Sequence, residues 1–411
     1  MKRKLLCSLI AGLGLTLGAG AQADISNGVV KIGVLADMSG PYGDVSGEGS
    51  TIATQMAARD YVEQTGSKLK IEVISADHQN KPDVGSSIAR KWFDSEGVDM
   101  IMDVTTSSVA LAVSEVAKDK NKVLLDTGAG SPSLTGDQCS PNTIHWLYDT
   151  WELAHGTGSA VVKAGGDTWF FLTADYKFGH DLRDDTAAVV KANGGKVLGN
   201  VNIPLGNQDY SSFLLQAQAS KAKIIGLANA GADTSNSIKQ AAEFGIVQGG
   251  QKMAGLLVFI NDVHALGLPA AQGLQITTSW YWDMTDNNRA WAKEYQKARN
   301  SDVHPNSNHA GIYSATLHYL KAVDALQDDS DGVKVVEKMK ATPTDDPLFG
   351  KGEVRVDGRK IHPVYLMEVK SPDESKYAWD YYKLIQTIPA DKAFRPLDEG
   401  GCYLVDEAKK S

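Results

Sequence analysis

Two short runs of small polar residues could hold an anion without help from any cation. Thr105-Thr106-Ser107-Ser108 opens a helical pattern after one apolar run, and Gly128-Ala129-Gly130-Ser131 follows another. The unpaired N–H groups and positive dipole end of a helix start favour a carboxylate. Ser107 and Ser108 can donate hydroxyl hydrogens to its oxygens, and the small residues of the second run let the backbone come close. Ser107 could equally serve as a plain N-cap. No comparable constellation for bond-making chemistry is present. The nine histidines are scattered, with no HExxH pair. Asp77-His78, Gly179-His180-Asp181 and the pair His304 and His309 lack a third partner at metal-ligand spacing. There is no GxSxG elbow and no P-loop, and Asp37 and Asp44 do not read as an acid–base pair. No enzyme, cofactor or metal site is expected.

Other loops carry further candidates. Ser39-Gly40-Pro41-Tyr42-Gly43 follows the first apolar run; Tyr42 is either a wall for a ligand or a surface residue of an ordinary turn. Tyr176 and Phe178 follow the run at 168–172. Asn229, Ala230 and Asp233 follow the run at 222–227, where Asp233 could receive an ammonium or cap the next helix. Phe259-Ile260-Asn261-Asp262 ends another run, with Asn261 a candidate contact. Aromatic residues crowd two places: Trp146, Tyr148 and Trp151, then Trp280, Tyr281 and Trp282. Stacking adds about 0.5–1.5 kcal/mol per pair beyond burial. Tyr148 and Trp282 are the candidates to face a ligand, and core packing is expected for at least half of the six. This enrichment points towards an aromatic acid.

These loops need a scaffold, and the chain alternates strand-like and helical patterns. Strands are expected at 29–35, 69–75, 99–104, 122–126, 168–172, 196–201, 222–227, 255–260 and 274–278. Helices are expected at 50–64, 84–94, 107–118, 153–163, 179–192 and 235–244. Such alternation makes an α/β fold of parallel sheets covered on both faces. A helix-rich stretch at 288–339 follows, then a strand pair near 352–359 and 362–369. The rhythm breaks near 141–151, 279–285 and 342–350, so the chain crosses three times between two doubly wound lobes. Lobe one is expected at 28–147 plus 285–345, and lobe two at 148–284 plus 346–390. A tail, 391–411, returns towards the hinge.

Residues 1–23 read as an export signal. Lys2, Arg3 and Lys4 precede an apolar stretch, and Ala21-Gln22-Ala23 fits cleavage after Ala23. The apolar stretch is short of the roughly 20 residues that span a bilayer, so a soluble periplasmic or secreted chain is expected. Losing those three charges takes the net charge from -9 to -12, which argues against nucleic acid or anionic membrane as partner. Cys139 and Cys402 remain, and in an oxidising compartment such a pair reads as a disulfide, with two separate buried thiols as the alternative.

Taken in order, IGVLADMSGPYGD (32–44), Thr105 to Ser108, DTGAGSPSLTG (126–136), TADYKFGHD (173–181) and GLQITTSWYWD (273–283) give the chain its likeness. Over nearly its whole mature length it resembles a type I periplasmic solute-binding protein of an ABC transporter, in the leucine/isoleucine/valine-binding branch. The resemblance implies two α/β lobes on a three-stranded hinge, closing over one small molecule. It implies that the loops at Thr106–Ser108 and 128–131 take a carboxylate and that Tyr42 meets the ligand's side chain. Leucine-binding relatives place a tyrosine where Phe178 stands, so that contact becomes apolar here. Relatives that bind α-amino acids place an acid near Asp262 for the amine. An inner-membrane ABC permease is the implied partner of a monomer; the alternative is a binding protein for amides or other small solutes that signals to a receptor. A cytoplasmic ligand-sensing regulator would need a DNA-binding or output domain, and none is read.

Overall fold

The strand β1 (Val30–Ala36) is buried along almost its whole length, as a continuous apolar run in a doubly covered parallel sheet must be. The computed structural model describes residues 25–410, so the expected export signal and its cleavage site lie outside the described residues. β1 pairs in parallel with β2 (Ile71–Asp77) on one side and β3 (Met100–Asp103) on the other. β4 (Val123–Asp126) and β5 (Thr143–His145) extend the sheet, giving the order β2-β1-β3-β4-β5. The helices α1 (Gly47–Thr65), α2 (Pro82–Ser95) and α3 (Ser107–Asp119) connect these strands. Methionine, valine and leucine fill β3 and β4, whose residues are all buried.

After β5 the chain enters α4 (Thr150–Leu153) and α5 (Ser159–Lys163), separated by one wide turn at Ala154–Gly158. A second parallel sheet follows, β7-β6-β8-β9, from β6 (Thr168–Ala174), β7 (Lys196–Ile203), β8 (Ile224–Ala228) and β9 (Lys252–Gly255). Its helices are α6 (Lys177–Ala192), α7 (Ser211–Ala219), α8 (Ala232–Glu243), α9 (Ile260–Leu266) and α10 (Leu268–Ala271). β10 (Gln275–Thr278) leads to α11 (Asp286–Arg299), α12 (Ser307–Leu326) and α13 (Gly332–Ala341), of which α11 and α12 pack on α1.

The remaining strands are antiparallel. β11 (Thr344–Asp346), β12 (Gly350–Val354) and β13 (Lys360–Ile361) form a small sheet against α12 and α13. β14 (Val364–Val369) and β15 (Tyr382–Ile388) return to pair with β10. A disulfide between Cys139 and Cys402, with Cα atoms 5.6 Å apart, ties the tail back just before a last short helix at Tyr403–Ala408. Arg395 also holds the tail there, donating to the Pro132 carbonyl at 2.9 Å. No helix among the described residues is long and apolar enough to cross a membrane.

Three local expectations change. The strands near 352–359 and 362–369 are not a pair: β12 pairs with β11 and β13, and β14 with β10 and β15. The run at 255–260 is not a strand: β9 ends at Gly255 and α9 begins at Ile260. A short apolar run cannot be told from other buried segments by periodicity, and here Leu257 and Phe259 are buried in a cleft between lobes. The stretch at 141–151 is more than a break, since β5 and the start of α4 lie inside it. α7 was not expected at all.

Candidate functional site

Both parallel sheets reverse their strand order beside the first strand of the lobe, between β1 and β3 and between β6 and β8. Loops at the carboxyl ends of strands flanking such a switch diverge and leave a crevice. The two crevices face each other across one narrow cavity. From one lobe it is lined by Tyr42 after β1, Thr105 after β3, Gly128 after β4 and Tyr148 after β5, with Val45 beside them. From the other come Tyr176 and Phe178 after β6, Ala230 after β8, and Leu257 and Phe259 after β9.

The lobes touch directly around this cavity. Ala232 N donates to Pro41 O at 3.1 Å, Ser131 Oγ to Asp181 Oδ2 at 3.1 Å, and Asn306 Nδ2 to Asn261 Oδ1 at 2.9 Å. The Tyr42 and Tyr176 hydroxyls meet across the gap at 2.6 Å. Burial, then Tyr176, holds the Tyr42 phenol well above its ordinary pKa, and burial does the same for Tyr176. Both phenols are neutral.

Buried acids shape the loops from beneath. Asp37 accepts from the amides of Gly40 and Tyr42 at 2.7 and 2.9 Å and from Asn80 Nδ2 at 2.8 Å, fixing the turn that presents Tyr42. Asp103 accepts from Ser46 Oγ at 2.5 Å, Ser50 Oγ at 2.7 Å and Asn308 Nδ2 at 3.2 Å. Burial raises its pKa, and these hydrogen bonds oppose the rise. Asp103 and Val104 both have positive φ, 81° and 62°. That conformation is rare for a β-branched residue and clusters at ligand sites. Here it turns the chain so that Thr105 reaches the cavity. At Gly128 a Cβ would lie 2.4 Å from Asp103 Oδ1 and 2.7 Å from Thr105 Cα, so only glycine lets the two loops meet.

Six of the expected residues line the cavity: Tyr42, Gly128, Tyr148, Tyr176, Phe178 and Ala230. Gly130 backs Phe178, since a Cβ there would meet its ring at 2.8 Å. Ala129 is buried, with its carbonyl bonded to His145 Nε2 at 2.7 Å. Ser107 opens α3 and is fully buried, and its hydroxyl has no partner among the described residues. It is not the N-cap; Thr106 holds that position, with its hydroxyl bonded to Asn80. Ser108 lies half-buried on the first turn.

The rest stand elsewhere. Ser39 is exposed and bonds Asp77 at 2.8 Å. Asn229 is spent on Thr234 and Ser237 of α8. Asp233 sits in the first turn of α8, taking the Gly206 amide at 3.1 Å, and burial pushes it up to about 6. Asn261 faces Asn306, and Ser131 faces Asp181. Asp262 takes the Phe259 amide at 2.8 Å as a helix cap. Trp282 donates to Trp379 O at 3.1 Å and packs 4.0 Å from His304, outside the cavity. Of the six crowded aromatics only Tyr148 lines it. Trp146 bonds Ser314, Trp151 stacks on His155, Trp280 abuts Trp291, and Tyr281 bonds Trp379 O.

Four lining residues were not singled out from sequence: Val45, Thr105, Leu257 and Phe259. Thr105 and Phe259 stood beside chosen residues. The signal that could have found Leu257 and Phe259 is position, directly after the last strand of a switch-point sheet.

Residues 29–376 match the model of the family described as periplasmic binding protein. A periplasmic binding protein of Burkholderia mallei is 52% identical, covering 92% of this chain and 99% of that one, with a TM-score of 0.87. A branched chain amino acid ABC transporter periplasmic ligand-binding protein of Burkholderia xenovorans LB400 is 39% identical over 91% of this chain and 99% of that one, with a TM-score of 0.78. A solute-binding protein of an ABC transporter from R. palustris, solved in complex with benzoate, shares the fold with a TM-score of 0.77. It is 21% identical over 88% of this chain and 97% of that one. With two lobes closed on one cavity and a family match over most of its length, the chain belongs to the periplasmic binding proteins, a family of solute-binding proteins.

Proposed function

We propose that this chain is the solute-binding component of an ABC importer, and that its lobes close over a small carboxylate with an apolar or aromatic body. The observation that carries the reading is the cavity lining: five aromatic rings and the aliphatic side chains of Val45, Ala230 and Leu257, with no formally charged residue among them. A ligand ammonium has no counter-ion there, because Asp262 is spent as a cap and Asp233 stands back in α8. That disfavours an α-amino acid, whose charge would be buried unpaired. A carboxylate is served by the α3 start with Thr106, Ser107 and Ser108, and by the loop at residues 128–131. The benzoate complex from R. palustris fits the same reading.

In this reading 28–147 plus 285–345 form one lobe and 148–284 plus 346–390 the other, where β14 and β15 pair with β10. A leader cleaved after Ala23 delivers a periplasmic monomer, and the closed form is what the permease distinguishes. Hydrogen bonds to a charged group are worth about 1.5–3 kcal/mol. The double variant Ser107→Ala with Ser108→Ala should therefore weaken binding at least tenfold by calorimetry, with the melting temperature of the free protein held. The ligand for that assay comes from a thermal-shift screen of benzoates, phenylpropanoid acids, amino acids and amides. Unchanged affinity in the double variant would misplace the carboxylate, and a screen answered only by sugars would refute the carboxylate itself.

A further inference from the structure

Among the four hydroxyls that line the cavity, those of Tyr42, Thr105, Tyr148 and Tyr176, a hydrogen is left uncommitted at one place. Tyr148 donates its hydrogen to Gly128 O at 2.6 Å. Thr105 donates to Ser46 Oγ at 2.7 Å, because the Ser46 hydrogen goes to Asp103. Both hydroxyls can therefore only accept from a ligand. Tyr42 and Tyr176 share a single hydrogen bond in which either is the donor. Whichever way that bond runs, one phenolic hydrogen is left over, together with acceptor lone pairs on both oxygens. The pair thus offers a donor and an acceptor side by side, one phenol from each lobe. Around it stand Phe178, Phe259 and Leu257, which offer nothing polar.

We propose that the Tyr42–Tyr176 pair selects ligands carrying a neutral oxygen substituent, a hydroxyl above all, at the end away from the carboxylate. This deepens the carboxylate reading and rests on it. A hydroxyl both donates to and accepts from the pair; a methoxy group only accepts; a methyl of similar size does neither and leaves the phenols without a partner. The neutrality of both phenols fits a neutral substituent. A site built to hydrogen-bond a ligand hydroxyl rejects the analogue that lacks it far more strongly than a pocket rejects a missing methylene.

The test is calorimetry on the mature protein with 4-hydroxybenzoate, 4-methoxybenzoate, 4-methylbenzoate, benzoate and 3-methylbutanoate. The expected order is hydroxy over methoxy over methyl, with hydroxy ahead of methyl by about tenfold or more. In Tyr42→Phe with Tyr176→Phe that preference should shrink to about twofold. Equal affinities of the wild type for the hydroxy and methyl acids overturn the inference with no variant needed. So does a preference that survives in the double variant. Binding of 3-methylbutanoate but none of the benzoates overturns this inference alone. Binding of no carboxylate at all overturns the reading beneath it.

Discussion

Replacing Arg359 by methionine should cost about 3–5 kcal/mol of stability, the usual penalty for removing one partner of a buried ion pair. Arg359 precedes β13 and is fully buried. Its guanidinium bonds the Asp149 carboxylate, the Leu147 carbonyl and His145 Nδ1, and lies 4.9 Å from the centre of the Phe394 ring. Methionine fills much the same volume and adapts its shape, so the loss is chiefly electrostatic. It leaves Asp149, 2% exposed, as a buried carboxylate held only by the Glu152 amide. Burial alone would raise the Asp149 pKa, but Arg359 and then His145 outweigh it and the folded value is lowered. In the wild type this group therefore adds stability above its unfolded pKa, and that stability is lost as pH falls through the acid range. Without Arg359 the sign reverses, and the cost of the substitution is greatest at neutral pH and shrinks towards pH 4. The assay is urea unfolding followed by circular dichroism at pH 7.5 and 5, with ΔG from linear extrapolation. Asp149→Asn in the same background removes the stranded charge and should recover part of the loss. A cost under about 1 kcal/mol at pH 7.5, or no recovery with Asp149→Asn, would refute the reasoning.

Two further outcomes are expected. Cys139→Ser with Cys402→Ser opens a loop of 263 residues, a loss of about 5 kcal/mol on the chain-entropy account. It should lower the urea midpoint and expose Arg395 to trypsin, whereas equal midpoints with and without reductant would show that the bridge contributes nothing. Burial pushes Asp262 up to about 7. Its folded pKa exceeds the unfolded one, so it costs stability increasingly as pH rises from about 4 to about 7. Asp262→Asn can still accept the Phe259 amide and should gain on the wild type in melting temperature between pH 5 and 8. Parallel curves would show that Asp262 titrates normally.

Much of the scaffold was legible in local pattern. The apolar runs of β1, β3, β4, β6 and β8 are continuous because both faces of those strands are covered, and the helices between them have one apolar side. The small-residue loops after β3 and β4 announced themselves by composition, as did the glycine at 128, where the structure admits no Cβ. The disulfide was legible because a lone pair of cysteines in an oxidising compartment leaves few alternatives. The run at 255–260 was misread for an equally physical reason. Burial selects apolar residues whether the burying partner is a sheet or a closing lobe, so composition cannot say which.

Which aromatic residues reach the cavity was decided only in three dimensions. Trp280, Tyr281 and Trp282 are as apolar as Tyr42 and Tyr176, and their sequence context is no less suggestive. The first three are placed by strand register and by the return of Trp379 from far along the chain. The other two are placed by loops at opposite switch points that meet only when the lobes close. By itself the sequence determined the alternation of strands and helices and the composition of single loops, because these depend on neighbours a few residues away. The tertiary structure decided the pairing of Tyr42 with Tyr176 and the hydroxyl inventory of the cavity, because both depend on residues 134 apart finding each other.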